Sequence, residues 1–313
     1  MPEEKDIAER RSRLSPAQRA LLQSRLGGES TARSIGPRAR RAPQSLIPLQ
    51  AAGAKPPFFC VHPSHGSVFG YVDLARYLGT DQPFYGLQSP ALDGEQQSYH
   101  SIEDMATDYI RALRALGPQE LYLLGGWSMG GIVAYEMAQQ LLRQGEQLGL
   151  LALFDVGPEA FGRRLTANDY SLEVNWFIAE LGKAFGQHGD ISLRDLQALE
   201  PDDRVCQVLK QGRALGIIDK AEVAQLELIF DVFKANLQAA STYAPRAYPQ
   251  KITIFKASGN LASEASPRLE SSDLIPGGIE KYAVPGEHFT MLKEPHVRVL
   301  AARLKVCLDR FGR

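Results

Sequence analysis

Several large classes of protein are excluded by what this 313-residue chain has little of. Its three cysteines, Cys60, Cys206 and Cys307, are odd in number and far apart. That spacing rules against a disulfide framework and fits the reducing cytoplasm. No cluster has zinc-like spacing, and neither GxxxxGK[ST] nor GxGxxG occurs, so neither a metal nor a nucleotide is indicated. No apolar run approaches the roughly 20 residues that span a bilayer. The N-terminus, Met-Pro-Glu-Glu-Lys and then polar, has no apolar stretch of the secretory type. Charge excess is missing too: 35 Lys plus Arg against 36 Asp plus Glu leave a net of -1, which argues against a general nucleic-acid binder. The remainder, 44% hydrophobic and 23% charged, can bury a core without staples. Its length allows one large α/β domain or two small ones.

The neutral average conceals an asymmetry. Residues 1–45 hold ten basic residues (Lys5 and nine Arg) against five acidic, a net of +5, and the rest of the chain carries −6. Within this tail SRLSPAQRALLQSRL predicts a short amphipathic helix, with Ser15 as cap, Pro16 in the first turn and Leu21, Leu22 and Leu26 as its stripe. A Gly/Ser/Pro/Arg linker follows to about Pro43. The segment reads either as a solvated tail or as a docking element for an acidic partner. Leu26-Gly27-Gly28-Glu29-Ser30 resembles the phosphopantetheine-bearing motif of carrier proteins, but no apolar periodicity follows Ser30, so no carrier domain is expected there.

From residue 57 onward strand and helix signals alternate. Apolar runs at 57–61, 82–87, 121–124, 148–154, 252–257 and 282–284 read as strands, and 101–116, 130–144 and 295–311 read as helices. That alternation predicts an α/β fold with a mostly parallel central sheet flanked by helices. Residues 156–242 interrupt it with amphipathic helices near 171–187, 201–214 and 219–240, a candidate lid. The expected organisation is a basic tail over 1–45 and one catalytic domain over 46–313.

Chemistry concentrates at Leu123-Leu124-Gly125-Gly126-Trp127-Ser128-Met129-Gly130-Gly131. Gly126-x-Ser128-x-Gly130 between an apolar strand and a helix matches a nucleophile elbow. The glycines clear space for a sharp strand-to-helix turn, and the helix directs its N-terminal N–H groups at the serine. A serine needs a base, and the base an orienting acid. Asp155 ends the LGLLALF strand one helix and one strand after Ser128 and is the candidate acid; Ser258-Gly259-Asn260, after the next strand, offers no carboxylate before Glu264. Of six histidines, only His188, His288 and His296 follow Asp155. His188 lies in a polar linker and His296 in the first turn of the last helix, whereas His288 occupies the loop between the last strand and that helix. His288 is therefore the candidate base. Oxyanion donors are expected at the N–H groups of Met129 and of Ser64, in the His62-Pro63-Ser64-His65-Gly66 loop.

FFCVHP-x-x-G, QPFYGLQSPALDGEQ, YLLGGWSMGG-x-VAYEMA, LLALFD, TYAPRAYPQKITIFKAS and VPGEHFTML, in that order, resemble the thioesterase domains that end nonribosomal peptide synthetases and related polyketide assembly lines. The resemblance covers about residues 46–311. It implies an α/β-hydrolase fold with a helical lid. It also implies attack by Ser128 on a thioester carried by the phosphopantetheine arm of an acyl or peptidyl carrier protein, then hydrolysis or macrocyclisation, with no further cofactor. Position by position it lays nucleophile, acid and base on Ser128, Asp155 and His288, and the oxyanion donors on Ser64 and Met129. Substrate contacts are expected from His65, Trp127, Trp176 and Phe177. His65 stands where many members have glycine. The chain starts at its own methionine with no carrier attached, so it is expected to act in trans, with residues 1–45 as a partner contact, or as a split terminal module. Transfer to another acceptor uses the same triad, and a catalytically dead docking protein is the reading from another class.

Overall fold

The computed structural model describes residues 45–93, 98–161, 166–185, 196, 198–259 and 271–312. The tail helix, the carrier-like Ser30 stretch, His188 and Glu264 all lie outside these residues. Seven strands form one sheet: β1 (Leu46–Gln50), β2 (Phe58–Val61), β3 (Phe84–Leu87), β4 (Tyr122–Trp127), β5 (Leu148–Phe154), β6 (Ile252–Ala257) and β7 (Ile279–Val284), in the order β1-β3-β2-β4-β5-β6-β7. Only the β1–β3 pair is antiparallel. The strands expected at 148–154 and 252–257 are β5 and β6 without shift. Both are apolar runs in the middle of the sheet, covered on both faces, so periodicity and burial agree. Edge strand β1 is only half-buried, which is why LIPLQ carried no strand signal.

The sheet is flanked by α1 (Val72–Leu78), α2 (Ile102–Arg114), α3 (Met129–Arg143) and the C-terminal helix His296–Leu308. Helix α2 starts at Ser101, whose hydroxyl accepts from the Asp104 N–H at 3.1 Å, and ends with Arg111 and Arg114 in its last turn. Its buried Ile102, Met105, Ala106, Tyr109, Ile110 and Leu113 repeat every three or four residues. Helix α3 is buried on nearly every side from Met129 to Ala138, as a central helix must be.

Between β5 and β6 the chain forms α4 (Ala167–Phe185), α5 (Pro201–Ala214) and α6 (Lys220–Thr242), with no strand among the described residues there. Two compact units result, one of Pro37–Arg164 with Val232–Arg313, the other containing Leu165–Asp231. The helical unit has its own core, including Val174, Ile178, Leu181, Val205, Leu209 and Phe230. Tyr170 bonds Asp202, and Arg204 reaches Ser171 Oγ at 2.8 Å and Asn175 Oδ1 at 3.0 Å. Helix α6 contributes to both units, its Val232–Thr242 part belonging to the sheet. Tyr243, just beyond it, donates to the buried Glu136 of α3 at 2.8 Å. Among the described residues no helix is long and apolar enough to cross a membrane.

Candidate active site

The carboxyl ends of β2, β4, β5 and β7 bring the singled-out residues of the sheet unit to one edge. After β4 the chain turns at Ser128, with φ 55°, straight into α3. Glycine is required on both sides of the turn. A Cβ on Gly126 would lie 2.2 Å from the Gly130 backbone, and one on Gly130 would lie 2.3 Å from the Val61 carbonyl oxygen. Ser128 N–H donates to the Phe154 carbonyl at 3.0 Å. After β5, Asp155 takes φ 49°, and its N–H donates to the Phe255 carbonyl at 2.8 Å. Among the described residues these two are the only non-glycine positions at positive φ. Backbone held in sparsely populated regions costs on the order of 1–3 kcal/mol and clusters at functional sites.

Asp155 meets His288 across the sheet. His288 Nδ1 lies 2.7 Å from Asp155 Oδ2; a carboxylate only accepts, so Nδ1 is the donor of this bond. The other oxygen, Oδ1, accepts the Ala257 N–H at 3.0 Å and faces Lys256 Nζ at 3.5 Å. Burial pushes the Asp155 carboxyl up, but the His288 bond and charge, the Ala257 N–H and the Lys256 charge outweigh it and hold the group below the usual carboxylate range. The His288 ring lies between Trp127, at 5.2 Å between centroids, and Phe289, edge-on at 4.8 Å. Its loop is fixed by Glu287 N–H to Thr290 Oγ1 at 2.8 Å and by Gly286, where a Cβ would strike His296 at 2.7 Å.

Ser64 follows β2 on a loop held from four directions. Gly66 N–H closes a turn onto the Pro63 carbonyl at 2.9 Å, and Asn236 of α6, itself buried, donates from Nδ2 to the Ser64 carbonyl at 2.8 Å. The fully buried His62 bonds the Pro63 carbonyl through Nδ1 at 2.7 Å and the Tyr109 hydroxyl through Nε2 at 2.6 Å. Tyr71 donates to the Val61 carbonyl at 2.6 Å and accepts the Trp127 N–H at 3.1 Å, bridging the end of β2 to the end of β4. The Ser64 N–H has no acceptor among the described residues. Met129 N–H opens α3, ahead of the intrahelical bonds. Two such amides are what an oxyanion hole requires.

Of the expected substrate contacts, His65 is half-buried in this loop, its Nδ1 accepting the Ser67 N–H at 3.2 Å. Trp127 is buried, with its ring on His288 and Phe289. Trp176 and Phe177 lie on α4 of the helical unit, where Phe177 packs on Phe230 at 5.3 Å. Among the described residues no group of three or more His, Cys, Asp or Glu could hold a metal ion. Lys256 and Asn236 were not anticipated. Lys256 is the only charge in the ITIFKA strand, a signal that gains meaning once Phe154 is known to pair with Phe255.

The family model for the thioesterase domain matches residues 56–306. This chain belongs to the thioesterase domain family. The thioesterase chain is 32% identical over 211 residues to a dimodular nonribosomal peptide synthase of Bacillus subtilis (strain 168), covering 67% of itself but 8% of that protein. A crystal structure of a four-domain nonribosomal peptide synthetase, holo-AB3403 bound to AMP and glycine, matches with a TM-score of 0.70 and 28% identity over 86% of this chain and 20% of that one. The NocB thioesterase domain, solved as a covalent complex with a fluorophosphonate nocardicin G analog, matches at 0.59 and 24% identity, covering 84% of this chain and 99% of that one. The chain is thus a thioesterase domain of the nonribosomal-peptide type with an α/β-hydrolase fold, and it spans a small fraction of the synthetases it resembles.

Proposed function

We propose that this thioesterase releases a peptide or polyketide acyl chain from the phosphopantetheine thioester of an acyl or peptidyl carrier protein through an acyl-Ser128 intermediate. The observation that carries the reading is the 2.7 Å bond from His288 Nδ1 to Asp155 Oδ2 at the sheet edge where Ser128 turns. In this reading His288 Nε2 takes the Ser128 hydroxyl proton as Oγ attacks the thioester carbonyl. Ser64 and Met129 N–H groups receive the oxyanion. Collapse breaks the C–S bond, and His288 returns the proton to the departing thiolate. Water, or a nucleophile within the chain itself, then attacks the ester with the same base and frees Ser128. The second nucleophile decides between hydrolysis and macrocyclisation.

Ser128→Ala should lower kcat on the order of 10⁶-fold. Intact-mass measurement after exposure to an acyl-loaded carrier should show an acyl adduct on the unaltered protein and none on the variant. Continued clearance of the carrier by Ser128→Ala would end this reading.

A further inference from the structure

We infer that Lys256 is a positioning residue that sets the proton affinity of the Asp155–His288 couple, and therefore the pH range in which the site works. The inference rests on the reading of His288 as base and Asp155 as its partner.

Asp155 is a poor place for a charge. Its side chain is 2% exposed, and the expected cycle leaves it ionised beside a neutral imidazole for part of every turnover. Hydrogen bonds divide between its oxygens, His288 on Oδ2 and Ala257 N–H on Oδ1. Lys256 brings a formal positive charge to this carboxylate, with Nζ 3.5 Å from Oδ1. Its place follows from the sheet: Phe154 pairs with Phe255, so the residues that follow them, Asp155 just past β5 and Lys256 in β6, are neighbours. The Lys256 side chain is 22% exposed, and its ammonium reaches both buried Asp155 and the more exposed Glu159, 4.0 Å away. Among the described residues, Glu287, beside His288, and His296, packed under Gly286 of the same loop, are further titratable groups near the couple.

Two consequences follow from this geometry. The ammonium draws Oδ1 towards β6, which leaves Oδ2 facing His288. Its charge also favours carboxylate over carboxylic acid and opposes a second positive charge on the imidazole. Both effects weaken proton binding by the couple, whichever partner the proton resides on. Removing the charge therefore raises the pH below which the base is protonated.

The test is the pH dependence of kcat/KM between pH 5 and 9, with an acyl thioester of a small soluble thiol as probe. Lys256→Met keeps the aliphatic stem and should move the acid limb up by about half a unit or more. Lys256→Arg keeps the charge and should hold the limb near its original place. An acid limb unmoved in Lys256→Met, whatever the loss in rate, overturns the inference. Lys256→Gln gives the same reading if the Met variant folds poorly, and thermal unfolding identifies that case. Ser128→Ala measured alongside separates the two levels. Turnover surviving that change ends the thioesterase mechanism itself, whereas its loss together with an unmoved limb ends only the role of Lys256.

Discussion

At the scale of single residues, His62 illustrates how burial decides chemistry. It is 0% exposed, and each ring nitrogen has one partner, Pro63 carbonyl and Tyr109 hydroxyl. The carbonyl can only accept, so Nδ1 is protonated and Nε2 accepts from Tyr109: a neutral ring with no room for a second proton. Desolvation lowers its pKa from 6.5 to about 4, against a smaller upward push from the Pro63 carbonyl. The unfolded chain therefore binds more protons than the folded one between those values. The stabilisation from His62 is complete above its ordinary pKa and drains away as pH falls towards the folded one. Urea unfolding at pH 7 and pH 5 should show a loss of roughly 2 kcal/mol from this group. His62→Asn, whose amide can still reach the Pro63 carbonyl, should flatten the difference. Asp155 does not confuse the experiment. Its carboxyl is held below the ordinary value of 3.8, so its contribution is intact above that pH and is lost only as pH falls through the lower folded value.

The same contrast sets what was legible residue by residue. Ser128, Asp155 and His288 could be singled out because each ends a strand or opens a loop in a spacing that chain order alone displays. Lys256, Tyr71 and Asn236 could not. Their partners lie 101, 56 and 172 residues away along the chain (Asp155, Trp127 and Ser64), and only strand register or helix docking brings them together. Trp127, expected among the substrate contacts, packs its ring on His288, a neighbour 161 residues further along the chain that strand spacing alone does not reveal.

Among the elements, buried strands and long amphipathic helices were the legible part. α5 spans the expected 201–214, and α6 differs from expectation by one or two residues at its ends. α1 was missed because VDLARYL is barely two turns long, too short for a period to emerge. Its approach nevertheless carries one of the most consequential side chains. Tyr71, at the N-cap of α1, bonds the last carbonyl of β2 and the last N–H of β4, one just ahead of the His62–Gly66 loop and the other just ahead of Ser128. This hydroxyl thus ties the two strand ends together beyond their ladder. Tyr71→Phe keeps the ring and leaves Val61 carbonyl and Trp127 N–H buried without that partner. The expected cost is about 2 kcal/mol of stability, read by chemical denaturation. Because the Ser64 and Met129 amides, the proposed oxyanion donors, lie next to the loosened segments, kcat should fall more than KM rises. Equal effects on both, with unchanged stability, would remove Tyr71 from this role.

For the whole molecule, charge distribution is the property that neither a motif nor a hydrogen bond reports. The net of -1 conceals +5 on residues 1–45 and −6 on the rest. The chain covers 8% of the Bacillus synthase it matches, and the proposed function calls for a thioester donor. If the donor is an acidic carrier protein, the −6 body repels it and the basic segment offers the compensating attraction. Such steering acts on encounter, not on the bond-breaking step. Deleting residues 1–45 should therefore raise KM for a carrier-bound thioester while leaving turnover of a small soluble thioester unchanged. The advantage of the full chain should also shrink as salt is raised from about 0.05 to 0.5 M, because screening shortens the reach of exposed charges below about 10 Å in that range. Identical kinetics of full and shortened chains on the carrier-bound substrate, at low salt, would show that the basic segment takes no part in recognition. A loss on both substrates would instead make it part of the folded domain.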